Sequence, residues 1–194
     1  MTMDKPMNVC VLVGSLRKAS LNGMLANALM LARAIFDEAR NRRDRAIAAF
    51  SMRDLETAAP PAPWTAFRQR VKAADAVLFV TPEYNRSVPA VLKNALDVGS
   101  RPYGSSVWDR KPGAIVSCSP GAIGAFGANH HLRQSLVFLN VPTMQQPEAY
   151  LSHADKLFDE QGKLVSEGTR KFLQAFMQAF ANWVETVRSQ GQRI

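Results

Sequence analysis

The chain has 194 residues, a hydrophobic fraction of 47% and a mean hydropathy of -0.13, the balance of a soluble globular protein with a full core. No apolar run approaches the ~20 residues of a membrane span, and Met1–Pro6 carries Asp4 without a basic stretch leading into an apolar block, so neither a bilayer anchor nor a secretory leader is expected. A net charge of +8 and pI ≈ 9.9 suit nucleic acid, a membrane surface or anionic small ligands, but the dense cluster Arg40, Arg42, Arg43 and Arg45 has no interleaved aromatics and reads as a solvated helix end, so no nucleic-acid or membrane partner is expected.

Asn8–Val13 reads as strand one. It runs into Gly14-Ser15-Leu16-Arg17-Lys18-Ala19-Ser20-Leu21-Asn22, which has the parts of an anion pocket. Gly14 permits a sharp turn off the strand. Ser15, Ser20 and Asn22 offer short hydrogen-bonding groups, and Arg17 offers a forked cation suited to phosphate oxygens. Ser20 reads as the N-cap of a helix whose positive end faces the same spot. Leu21, Met24, Leu25, Ala28, Leu29, Ala32, Ile35 and Phe36 trace its apolar face. A weak strand two is expected at Ala46–Met52. Pro60, Pro61 and Pro63 mark a loop before a helix from Trp64 to Ala74 that turns Phe67 and Val71 inward.

Ala76–Val80 is the clearest strand. Thr81–Pro89 follows, stiffened by Pro82 and Pro89 and carrying Glu83, Tyr84, Asn85 and Arg86, a preset shape suited to a flat ligand. Pro89 opens a helix with Val91, Leu92 and Ala95 inward. Gly113–Ser117 is strand four. The loop after it, from Ser117 through Cys118, Ser119 and Gly121 to Gly127, is small enough for a ligand to lie against its backbone. A helix over Asn129–Leu139, a short strand five at Val141–Gln146, and a last helix with Phe172, Phe176, Phe180, Trp183 and Val187 on one packing stripe complete the chain.

Alternating strands and helices predict an α/β fold. The expected form is a three-layer sandwich around a five-stranded parallel sheet in the flavodoxin-like order 2-1-3-4-5, one domain over residues 1–194. Ligands in such sheets lie beyond the carboxyl ends of the strands, where three of these loops must meet. A Walker loop and a dinucleotide fingerprint are both absent. No cluster has metal spacing, Ser117 and Ser119 lack triad partners, and His130 and His131 read as capping or surface groups. Cys10 and Cys118 sit in apolar strands as small buried residues, which suits a reducing, cytoplasmic home.

Gly-Ser-Leu-Arg-x-x-Ser-x-Asn at 14–22 resembles the phosphate loop of the NADPH-dependent FMN reductases. Thr-Pro-Glu-Tyr-Asn at 81–85, Ser-Val-Pro at 87–89 and Leu-Lys-Asn-Ala-Leu-Asp at 92–97 are similar to that family's flavin-ring loop. His-Leu-Arg-Gln at 131–134 and Val-Phe-Leu at 137–139 resemble its quinone and chromate reductase branch. The resemblance implies non-covalent FMN, with its phosphate held by Ser15, Arg17, Ser20, Leu21 and Asn22. It places Pro82, Glu83, Tyr84 and Asn85 beside the isoalloxazine ring, and Ser117, Cys118, Ser119 and Gly121 at the ring's pyrimidine side. It further implies a homodimer or homotetramer and a ping-pong cycle from NADPH or NADH to quinones, azo dyes, chromate or ferric complexes, with no catalytic side chain. Arg86 departs from the branch, which carries an aromatic or small residue there, and is expected to meet an anionic donor or acceptor. The alternatives are an FMN-bearing electron carrier without nucleotide turnover and a flavin-free binding protein.

Overall fold

A computed structural model of the chain describes residues 7–32, 36–37 and 60–191. Its strands are β1 (Met7–Val13), β2 (Phe36–Asp37), β3 (Ala76–Thr81), β4 (Gly113–Cys118) and β5 (Tyr150–Leu151), joined in the parallel order β2-β1-β3-β4-β5. The helices are α1 (Leu21–Leu31), α2 (Ala62–Ala73), α3 (Ala90–Gly99), α4 (Phe126–Phe138) and α5 (Glu167–Gly191).

Strand pleating decides the layers. Successive side chains point to opposite faces, so Val9, Val11, Val13, Leu78, Val80, Ala114, Val116 and Cys118 enter one core with Leu25 and Leu29 of α1 and Phe176 and Phe180 of α5. Leu12, Val77, Phe79 and Ile115 enter the other, against Phe67 and Val71 of α2, Leu92 and Leu96 of α3 and Leu132 and Leu136 of α4. Every residue of β3 and β4 is buried, as a parallel sheet covered on both faces requires. Of the α5 stripe, Phe176 and Phe180 are core, and Phe172 and Trp183 pack partly buried against it.

The structure differs from the sequence expectation at the end of α1 and at the far sheet edge. The Ala46–Met52 strand lies outside the described residues, as does Ile35. The edge strand described is Phe36–Asp37, pairing with Met7 and Asn8, so Phe36 belongs to a strand and α1 stops at Leu31. At the far edge Tyr150–Leu151, not Val141–Gln146, completes the ladder on Ser117 and Cys118. Val141–Gln146 contributes a single bridge, Thr143 to Gly113. Pro142 has no N–H to lend to a ladder, and the chain needs the intervening residues to reach the end of β4. The α4 helix also starts three residues earlier than Asn129, because Glu83 caps its first turn from across the fold.

Candidate active site

The register aligns the strand ends. Val13 lies beside Val80, Val80 beside Val116, Thr81 beside Ser117, and Ser117 beside Tyr150. The loops that begin at Gly14, Pro82 and Ser119 therefore leave the sheet side by side, at the carboxyl edge where such folds bind ligands.

Gly14 donates its N–H to Val80 O at 2.8 Å. Its backbone is not in the left-handed region, so the sharp-turn reading is corrected: glycine is needed here for close approach. A Cβ would meet Pro82 Cδ at 3.1 Å and Thr81 Oγ1 at 3.2 Å, and the loops after β1 and β3 touch at this point. Ser20 caps α1, its Oγ accepting the Gly23 N–H at 3.2 Å while keeping a proton to donate. Ser15, Ser20 and Asn22 are buried, Leu21 is half-buried, and Arg17 and Lys18 are exposed at the rim. Among the described residues, Asn22 Oδ1 is buried with no hydrogen-bond partner. Such an orphan acceptor is costly. A hydroxyl adjoining a phosphate would satisfy it, while the serine hydroxyls, Arg17 and the first N–H groups of α1 would be the donors to the phosphate itself. This donor set fits the phosphate and sugar-alcohol chain of FMN.

The loop after β3 closes on itself as a tight hairpin. Tyr84 and Ser87 exchange backbone hydrogen bonds at 3.0 and 2.9 Å, with Asn85 (φ 49°) and Arg86 (φ 62°) at the central positions. Two left-handed central residues make a type I′ turn, which asparagine tolerates and arginine occupies only under strain. Pro82 is buried; Tyr84, Asn85 and Arg86 are exposed. Glu83 does not present a free carboxylate. Its Oε2 accepts the Ala128 N–H of α4 at 3.0 Å, and its Oε1 pairs with Arg86 Nη1 at 3.3 Å.

Ser117 and Cys118 turn inward. The Ser117 hydroxyl, fully buried, donates to Gly124 O at 2.8 Å and accepts from Asn129 Nδ2 at 3.2 Å. Asn129 in turn accepts from Arg133 Nε at 3.1 Å, and Arg133 reaches Met144 O. The Cys118 thiol faces α1 and α5, and burial pushes its pKa up to about 12. Both residues are buried, backbone included, at 0% and 1% exposure. Ser119 is half-buried and Gly121 exposed. The loop is held from behind by the Ser119 carbonyl accepting Ala154 N–H and by Ser152 Oγ donating to Ala122 O. Gly124, with φ 57°, lies so close to the backbone of Tyr150 that a Cβ would meet its carbonyl carbon at 2.7 Å.

The two histidines occupy the second turn of α4 rather than its start. His131 Nδ1 lies 3.0 Å from Ser87 Oγ. His130 packs tilted on Phe126, 4.2 Å between centroids and 39° between planes, and its Nε2 lies 3.0 Å from the Tyr150 hydroxyl. Among the described residues, no group of His, Cys, Asp or Glu is placed to hold a metal ion. Sequence reading missed Gly127, Asn129 and the Ala128 N–H, whose partners lie far along the chain.

A parallel five-stranded sheet with a phosphate-type loop after its first strand defines a flavodoxin-like mononucleotide-binding protein. The family model for NADPH-dependent FMN reductase matches residues 7–156, and the chain belongs to that family of FMN-bearing, NAD(P)H-dependent oxidoreductases. It is 54% identical over 187 residues to a quinone reductase of Pseudomonas putida, covering 96% of this chain and 100% of that protein. It is 46% identical over 182 residues to a 2-hydroxy-1,4-benzoquinone reductase of a Burkholderia species, covering 94% and 98%. Among solved structures, the flavoenzyme NAD(P)H:(acceptor) oxidoreductase FerB of Paracoccus denitrificans superposes with a TM-score of 0.84 at 38% identity, covering 93% and 98%.

Proposed function

We propose that this chain reduces quinones with electrons from NADPH or NADH, working as one flavodoxin-like unit with FMN held by residues 14–22, 82–85 and 117–121. The observation that carries this reading is the buried, unpartnered Asn22 Oδ1 beside the capped N-terminus of α1, at the point where Gly14 meets Pro82. When bound, FMN supplies the ring that accepts a hydride from the nicotinamide and passes two electrons to the acceptor. The protein's own part is placement. Ser15, Ser20 and Arg17 anchor the phosphate, and the rigid turn at Tyr84–Ser87 borders the ring. The small Ser119–Gly121 backbone approaches its polar edge.

The exposed rim at Tyr84, Asn85 and Arg86 favours an open site that donor and acceptor occupy in turn, which gives ping-pong kinetics. Azo dyes, chromate and ferric complexes fit the same open face as secondary acceptors. Val137 and Phe138, 79% and 90% exposed on α4, support a homodimer or homotetramer. Among the described residues no helix is long and apolar enough to cross a membrane; we assign the protein to the cytoplasm, a reducing compartment that suits the thiol of Cys118 buried in an apolar strand.

The test is direct. Protein loaded with FMN is mixed with NADPH and a benzoquinone, and nucleotide oxidation is followed at varied concentrations of both. Parallel double-reciprocal lines support the proposal. FMN uptake without nucleotide turnover would leave an electron carrier. Protein that takes up no FMN would sink both.

A further inference from the structure

Glu83 joins the two loops that border the ring pocket. Its side chain is only 12% exposed, and its two oxygens have different partners: Oε2 accepts the Ala128 N–H at the start of α4, and Oε1 pairs with Arg86. Gly127 makes this possible. A Cβ there would lie 2.8 Å from Glu83 Oε2 and 3.1 Å from the Arg86 carbonyl oxygen, although Gly127 has no left-handed φ that would itself demand glycine. A second tie, His131 to Ser87 at 3.0 Å, closes the same seam one turn further along α4. The helix that receives the carboxylate also ends the loop after β4, through Gly124 and the left-handed Ala125.

We propose that Glu83 is a positioning residue for the flavin ring: its carboxylate clamps the loop after β3 onto α4 and so holds the loops after β3 and β4 at the spacing the ring requires. This rests on the FMN reading above. A carboxylate at a helix N-terminus meets unpaired N–H groups and the positive end of the helix dipole. Arg86, held in a strained turn, adds a second contact that keeps the carboxylate from swinging out to solvent. Because the clamp exists before the cofactor arrives, binding does not have to order the pocket. Gly127 is thus a specificity of the clamp, not of the helix.

The experiment is a titration of FMN into cofactor-free protein, well below every variant's melting midpoint, for wild type, Glu83→Ala, Gly127→Ala, their double variant and Glu83→Gln. Amide hydrogen exchange is measured on the same cofactor-free samples. The proposal expects each alanine variant to raise the FMN dissociation constant about tenfold, the scale set by losing one helix cap. It expects faster exchange over residues 82–89 and 126–129. The double variant should be no worse than the worse single one, because both break one contact. Glu83→Gln, which keeps an acceptor for the Ala128 N–H, should fall between wild type and Glu83→Ala. Unchanged FMN affinity in Glu83→Ala with only a lower melting midpoint would make Glu83 a stability cap and overturn the proposal; so would additive losses in the double variant. If Glu83→Ala does not fold, wild-type affinity in both Glu83→Gln and Gly127→Ala overturns it as well. A wild type that takes up no FMN overturns the FMN reading and this one together, whereas a binding wild type matched by its variants overturns this one alone.

Discussion

Arg17 and Lys18 are the exposed cations of residues 14–22, and Arg17 is the one proposed to hold the phosphate. Arg17→Ala is expected to weaken FMN binding by about 1.5–3 kcal/mol, the scale of a charged hydrogen bond; flavin affinity equal to wild type in a fluorescence titration would remove Arg17 from the site. Arg86 is 75% exposed and holds Glu83 with one nitrogen, leaving the rest of its fork at the rim. Arg86→Ala is expected to shift the ratio of kcat/KM for NADPH over NADH, and identical ratios would reject contact with the 2′-phosphate. Cys118 shows the opposite case. Its thiol is buried and its pKa pushed up to about 12, so at about pH 8 it holds almost no thiolate, the reactive form. Native protein should leave Cys118 unlabelled by iodoacetamide until it is unfolded, which peptide mass mapping will show.

The loops after β1 and β3, proposed to hold the phosphate and the ring, act as one element because Gly14 lets them touch. The cost of a Cβ at Gly14 depends on whether Pro82, rigid and buried, can yield a few tenths of an ångström. A proline ring joined to β3 has little room to do so, so Gly14→Ala should lower FMN affinity more than it lowers the melting midpoint of the cofactor-free protein. Equal, small effects on both would mean that the two loops do not share a geometry. The stiffness of the loop after β3 was legible in the sequence from Pro82 and Pro89, a local property, whereas the left-handed turn at Asn85 and Arg86 was not. The engagement of Glu83 with α4 was not, because it joins residues 45 positions apart. Strand five was misplaced for a related reason. Val141–Gln146 is apolar enough for a strand, but the ladder is decided by which segment reaches the end of β4.

At the scale of the whole molecule, burial of ionisable groups sets the response to alkali. Burial raises the Cys118 thiol from 9.0 to about 12. Tyr150 rises from 10.0 to about 12, first through burial, then through its hydrogen bond to Glu148 and that group's charge, with Arg133 opposing. Above about pH 9 the unfolded chain releases protons that the folded one keeps, so stability is fully present below that pH and falls as pH rises toward 12. Melting midpoints measured between about pH 8 and pH 11 should decline, and Cys118→Ala should flatten that decline. A Cys118→Ala curve parallel to wild type would place the alkaline loss elsewhere.

The sequence by itself determined the alternation of strands and helices, the donor chemistry of residues 14–22, and the family, because each depends on residues near one another in the chain. Only the tertiary structure decided which atoms face the pocket. The pleat turns the Cys118 side chain toward α1 and α5 and that of Ser117 toward α4, and buries both. The packing of α4 against the ring loop draws the Glu83 carboxylate to the helix N-terminus. Those outcomes depend on contacts between distant segments, which residue type and local spacing do not encode.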